Sequence, residues 1–263
     1  CVMIPMKEIL KKIGSRTVVV VLFLFAIFSL EAQDVGEAEI IQVKSREWNL
    51  SFFLNTRGAG VGFQVGKLPD YRNKHYFETD IFYSMHHKQL RARSAYWEGS
   101  RPFCYGKLYD LFFWRAGYGY QRILHHKPYW GGVEVRYSFS FGFALGVGFP
   151  VYLDVLYVTY PDMNYLVQTE RYDPNIHDVS NILGGAEWYY SFKGVAFRPG
   201  AYVKTGVSFD FSKDQYKSHI LEVGISADAV FPFIQQMAFN NPTPVFLNAY
   251  ISYSFGKKKG LYE

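Results

Sequence analysis

The feature that most constrains this chain is an alternation of large apolar with small or polar residues, period two, sustained far beyond ordinary strand length. Between residues 195 and 211, Val195, Phe197, Pro199, Ala201, Val203, Thr205, Val207, Phe209 and Phe211 lie on one side of an extended chain. Ala196, Arg198, Gly200, Tyr202, Lys204, Gly206, Ser208 and Asp210 lie on the other. At about 3.4 Å per residue the segment is long enough to cross a bilayer while tilted. Residues 132–147 repeat the pattern, with Val133, Val135, Tyr137, Phe139, Phe141, Phe143, Leu145 and Val147 on the apolar side. Further strands are predicted over 48–55, 59–67, 75–86, 107–120, 217–230 and 244–256, which makes about eight.

A soluble β-sandwich also alternates, but its polar face meets water and is rich in Lys, Glu and Thr. Here that face is Gly and Ser with isolated charges of both signs, which suits a narrow barrel lumen filled by side chains. The predicted fold is therefore all-β: an antiparallel transmembrane β-barrel of about eight strands with periplasmic termini. A ten-stranded version is the alternative, built by adding a hairpin from 152–158 and 188–192. Connections at 68–74, 121–131 and 212–216 are short and fall on the periplasmic side. Those at 56–58, 87–106, 148–194 and 231–243 fall outside, and three of them are long, the asymmetry of outer-membrane barrels. Trp48, Tyr120, Tyr129, Trp130, Tyr253 and Phe255 end the apolar faces and read as interfacial rings.

The only long apolar run is N-terminal. Lys7, Lys11, Lys12 and Arg16 precede about 13 apolar residues from Val18 to Leu30, short of the roughly 20 a membrane helix needs. Glu31-Ala32-Gln33 follows, so residues 1–32 read as a secretory signal peptide cut after Ala32 or Gln33, with residues 1–5 lying upstream of the initiator candidate Met6. The expected organisation is then a short periplasmic segment at 33–46, the barrel at 47–256 and a solvated basic tail at 257–263. Removing the leader takes four of 28 basic and two of 23 acidic side chains, leaving a charge of about +3. That charge is small and dispersed, which excludes a nucleic-acid footprint. Cys104 becomes the sole cysteine, so no intrachain disulfide is available.

The charges with lumen parity are Glu78, Asp80, Arg115, Glu134, Arg136, Arg198, Lys204, Asp210, Glu222 and Asp228. Buried charges must pair or accept hydrogen bonds, and the mixture of signs favours a neutralised plug over a conduit. Glu134, Glu222 and Asp228 are the expected partners of Arg136 and Arg198. Between 107 and 120, Asp110 and Arg115 have opposite parity. An Arg facing lipid at mid-depth costs about 2 to 4 kcal/mol, so Arg115 is expected inside and Asp110 outside near the headgroups.

Three chemical readings fail on geometry. His86-His87 and His125-His126 are adjacent pairs on opposite sides of the predicted membrane, and neighbours on a strand point to opposite faces, so no metal is expected. Ser218, His219 and Glu222 suggest a hydrolase acting on outer-leaflet lipid, but His219 has the parity opposite to the other two. Gly58, Gly60, Gly62 and Gly66 alternate within a strand instead of opening a helix, so they are small lumen positions and not a nucleotide loop. No catalytic residue, cofactor or metal is assigned.

The last strand, Ala249-Tyr250-Ile251-Ser252-Tyr253-Ser254-Phe255, resembles the β-signal read by barrel-assembly machinery, with Tyr253 and Phe255 as its marks. The runs Trp114-Arg115-Ala116-Gly117-Tyr118-Gly119-Tyr120, Lys127-Pro128-Tyr129-Trp130-Gly131-Gly132-Val133-Glu134 and Pro150-Val151-Tyr152-Leu153, with Tyr172-Asp173-Pro174, resemble a group of Bacteroidota outer-membrane β-barrel proteins of small OmpA/OmpX-like architecture. The resemblance implies a fold and a location, the outer membrane of a Gram-negative cell, and brings no catalytic residues. The function expected is non-enzymatic, that of a structural or accessory subunit of an envelope complex acting through external loops or barrel wall, with outer-membrane lipid and the assembly machinery as partners. A narrow diffusion pore is the alternative, and an outer-leaflet lipid-modifying enzyme the third reading.

Overall fold

The computed structural model describes residues 44–69, 72–94, 99–126, 132–159, 164–212, 216–240 and 243–260, all within the compact unit Gln42–Glu263. Residues 1–32, expected to be a leader, and the girdle candidates Tyr129 and Trp130 lie outside the described residues. Eight strands close a barrel: β1 (Lys44–Asn55), β2 (Gly58–Lys67), β3 (Asn73–Ser84), β4 (Tyr109–His125), β5 (Glu134–Pro150), β6 (Ala196–Asp210), β7 (Lys217–Ile234) and β8 (Thr243–Gly260). Each strand pairs antiparallel with its neighbours in the chain, and β8 returns to β1 with Lys44 opposite Gly260 and Asn55 opposite Tyr250. The start of β1 and the end of β8 therefore lie at the same rim, and closure removes every strand edge from the wall.

Alternation decides the two faces. Phe52, Phe77, Phe141, Ile225 and Leu247 stand outward and exposed, whereas Asn49, Asp80, Arg115, Ser140 and Ser208 on the same ladders are buried inside. A barrel with water-facing exterior would reverse this, so the wall is the surface that lipid covers. Trp48, Tyr120, Tyr253 and Phe255 gather at the end where β1 begins and β8 ends, where Trp48 packs on Phe63 with 6.4 Å between centroids and Phe52 on Phe255 with 6.0 Å.

The ten-stranded alternative is overturned. Residues 152–158 belong to a separate external sheet in which Tyr152–Thr159 lies between Asn164–Arg171 and Ile182–Gly185, and Trp188–Phe192 forms a turn of 3-10 helix. Neither segment joins the barrel ladder, and Leu153 and Val155 pack with Phe103, Tyr172 and Ile182 into a second core. The basic tail is corrected in part. β8 continues through Lys257-Lys258-Lys259, because Lys258 has lumen parity and reaches a buried carboxylate there.

Candidate functional site

The lumen is stacked in layers. At the rim where β1 begins and β8 ends, three carboxylates meet three cations. Lys74 Nζ stands 3.0 Å from Glu47, Arg136 contacts Glu134 and lies 2.8 Å from Asp210, and Lys258 Nζ is 2.5 Å from Asp210. Glu47 also accepts from Asn49 at 2.9 Å and Ser218 at 3.1 Å. The layer is electrically balanced, and its six members come from five strands, so it ties β1, β3, β5, β6 and β8 together.

Four carboxylates and two cations occupy the middle. Arg115 bridges Asp80 at 3.0 Å and Asp228 at 3.4 Å, and Lys204 meets Glu78 at 3.2 Å. Neutral donors meet the surplus of acceptors. Glu78 takes hydrogen bonds from Ser140 at 2.5 Å, Tyr202 at 2.9 Å and Gln64 at 3.2 Å; Glu222 takes them from Tyr250 at 2.5 Å and Ser138 at 3.3 Å. Rings fill what remains, and glycines make their room. A Cβ at Gly119 would stand 2.2 Å from the Tyr76 ring, and one at Gly62 would stand 2.2 Å from Asp80. Towards the outside the lumen turns apolar: Phe53, Phe82, Leu111, Phe113, Val230, Ile234 and Phe246 form one buried cluster. Phe82 stacks on Phe113 at 5.0 Å, Phe113 meets Phe246 edge-on at 5.3 Å, and the Arg115 guanidinium lies 4.6 Å from the Phe82 centroid.

Above this plug the external connections interlock. Lys107 bridges to Met237, Val151 N–H donates to Leu108 O at 3.0 Å, Tyr172 N–H to Val151 O at 2.9 Å, Ala238 N–H to Gly106 O at 2.8 Å, and Gly185 N–H to Arg101 O at 3.2 Å. Three connections thus fold as one cap. Burial, with Tyr105 beside it, pushes the Tyr172 phenol up to about 12. At the rim Lys107 would lose its proton more easily on burial alone; Asp110 at 2.5 Å and Tyr83 at 3.0 Å outweigh this and raise it.

Of the residues predicted for the lumen, Glu78, Asp80, Arg115, Lys204 and Asp228 come together in the middle with Glu222, and Glu134, Arg136 and Asp210 come together at the rim. Asp110 keeps its outward parity and is neutralised by Lys107. Arg198 is the correction. It has no ion pair among the described residues, because its expected partners sit at other heights. β6–β7 pairing puts Tyr202 opposite Asp228 and Ser208 opposite Glu222, so Arg198 lies beyond both, near the external mouth. Asp228 is committed to Arg115 and Glu222 to Tyr250. The polar residues that sequence reading missed are Glu47, Lys74 and Lys258, assigned to segments outside the strands, and the lumen tyrosines Tyr76, Tyr202 and Tyr250, whose parity was the available signal.

The hydrolase trio is not assembled: Ser218 Oγ donates to Glu47, while His219 Nδ1 lies 3.0 Å from Tyr253 Oη on the outer wall. His86 and His87 stack on each other at 4.4 Å, and His86 Nε2 meets the Asn240 side chain. Among the described residues no group of three or more His, Cys, Asp or Glu could hold a metal. Tyr253 and Phe255 both face outward on β8.

No family model matches the sequence, and no curated protein matches it. Two solved structures are similar in shape. Neisserial surface protein A (NspA) aligns at 8% identity and a TM-score of 0.38, covering 81% of this chain and 95% of that one. Ail, the attachment invasion locus protein of Yersinia pestis, aligns at 7% and 0.34, with the same coverage. The fold assignment rests on the strand pairing and wall described above: an eight-stranded antiparallel barrel of the outer-membrane type.

Proposed function

We propose that this chain is a non-enzymatic integral protein of the outer membrane of a Gram-negative cell, working through its external cap and outer wall as a structural or accessory subunit of an envelope assembly. The observation that carries this reading is the lumen. Paired charges, hydrogen-bonded tyrosines and an apolar plug occupy it from rim to rim, with an interlocked cap above. A barrel of eight strands is only just wide enough for its own side chains. The working surfaces are therefore the ones left over, the cap and the wall. Loops as long as the 148–194 connection are usually functional, and here that length is spent on a packed sheet.

Purification of the tagged chain in mild detergent tests the subunit reading. A partner recovered at fixed stoichiometry, and lost when residues 152–185 are replaced by a short Gly-Ser linker, is the expected result. Recovery of the barrel alone from several detergents would count against it. The pore reading is favoured by no feature of the lumen.

A further inference from the structure

Between the external sheet and β6, the 3-10 turn Trp188–Phe192 leaves three large rings in the open: Trp188 is 73%, Tyr189 51% and Phe192 58% exposed. The turn is held firmly. Tyr152 Oη donates to Lys193 O at 3.1 Å, Ala186 N–H donates to Tyr152 O at 3.1 Å, and Arg101 pairs with Glu187. A contiguous exposed apolar patch on a fixed turn marks an interaction surface.

Its position identifies the occupant. Phe192 meets Phe149 edge-on at 5.6 Å, Phe149 meets Phe112 edge-on at 5.5 Å, and Trp188 stands 5.7 Å from Phe192. Phe112 and Phe149 are outward residues at the external ends of β4 and β5, so the rings run without a break from the lipid-facing wall onto the turn. The exposed residues Tyr165, Leu166 and Val167 of the external sheet have no ring contact with the wall among the described residues. Trp and Tyr, ring bodies with a polar tip, are the side chains that settle where acyl chains give way to headgroups. Lys193, exposed beside them with its Nζ 5.0 Å from the Tyr190 centroid, supplies the cation that this depth favours.

We propose that Trp188–Phe192 is a lipid anchor, seated at the acyl–headgroup boundary of the outer leaflet on the β4–β5–β6 side of the barrel. It rests on the reading of the barrel as membrane-inserted. It makes the cap a surface-hugging structure on that side and gives the protein a preferred flank toward lipid. A neighbouring subunit would then dock on another side.

Spin labels at Trp188→Cys, Phe192→Cys, Tyr165→Cys and Phe141→Cys, each in a background with Cys104 replaced by serine, test this in the whole protein as it is exported. The samples are reconstituted in phosphatidylethanolamine–phosphatidylglycerol vesicles and checked for the heat-modifiable gel shift. Expected is an oxygen-to-nickel-chelate accessibility ratio at 188 and 192 that approaches that of wall position 141 and exceeds that of 165 severalfold. Labels at 188 and 192 that match 165, while 141 remains lipid-accessible, overturn the anchor and leave the barrel reading intact. An aqueous label at 141 overturns both. Should a labelled variant fail to fold, the fluorescence lost on Trp188→Phe must be quenched by lipids brominated near the headgroup; a component indifferent to bromine overturns the anchor.

Discussion

At the scale of the residue, the account depends on which lumen charge has partners. Arg115 serves two buried carboxylates, and removing one member of such a group leaves charge uncompensated, at about 3 to 5 kcal/mol. Arg115→Ala is therefore expected to lower the unfolding free energy of the vesicle-inserted barrel, measured by urea titration, by that amount. Arg198→Ala, with no ion pair to break, should cost under about 1 kcal/mol, near the level of a lipid-face exchange such as Phe141→Leu. Equal losses in Arg115→Ala and Arg198→Ala would mean that the lumen network is wrongly drawn. Gly119 gives a steric counterpart. A methyl group there collides with the Tyr76 ring, so Gly119→Ala should destabilise by about 1 to 3 kcal/mol, and Tyr76→Leu in the same chain should recover part of the loss. Parity made most lumen charges legible in the sequence. Pairing was legible for Arg136 with Glu134, two residues apart on one strand; across the lumen it was not, because partners there are chosen by the stagger of the strands, and one residue of stagger changes which carboxylate an arginine meets.

At the scale of the element, eight strands were legible because two different solvents, lipid and a polar lumen, impose strict alternation. Strand ends were not. Near the rim, charges serve the lumen as ion pairs, so Lys74 and Lys257-Lys258-Lys259 look like turn and tail by composition. The structure makes the three lysines unequal. Lys258→Ala should lower the unfolding midpoint measurably, whereas Lys257→Ala and Lys259→Ala, both outward, should stay within about 0.5 kcal/mol of wild type. The cap escaped sequence reading for another reason. Its strands are short, and its core is assembled from distant stretches, Phe103 from one connection and Leu153, Val155 and Ile182 from another. Ile182→Ala is expected to cost the cap about 2 to 5 kcal/mol. Limited proteolysis of intact cells should then cut the external connections while the barrel keeps its heat-modifiable shift; unchanged protease resistance would deny the cap a core of its own.

At the scale of the whole molecule, the same chain presents three environments in order: a balanced ionic layer, a hydrogen-bonded middle and an apolar plug beneath a folded cap. Each layer takes residues from strands far apart in sequence, which is why closure of the barrel and filling of its lumen are one event. What the sequence offered here was the general expectation that eight strands and mixed charges make a plug. The double seal, plug and cap, is set by contacts between stretches far apart in the chain, which no local pattern announces. The proposed function accordingly places the work on the surfaces, and predicts that no current passes through the lumen. Single-channel recording of the purified protein in planar bilayers, on samples whose heat-modifiable band shows full folding, tests this most directly. A baseline without steps across the voltage range is the expected result, and reproducible conductance steps from the folded wild-type protein would contradict it.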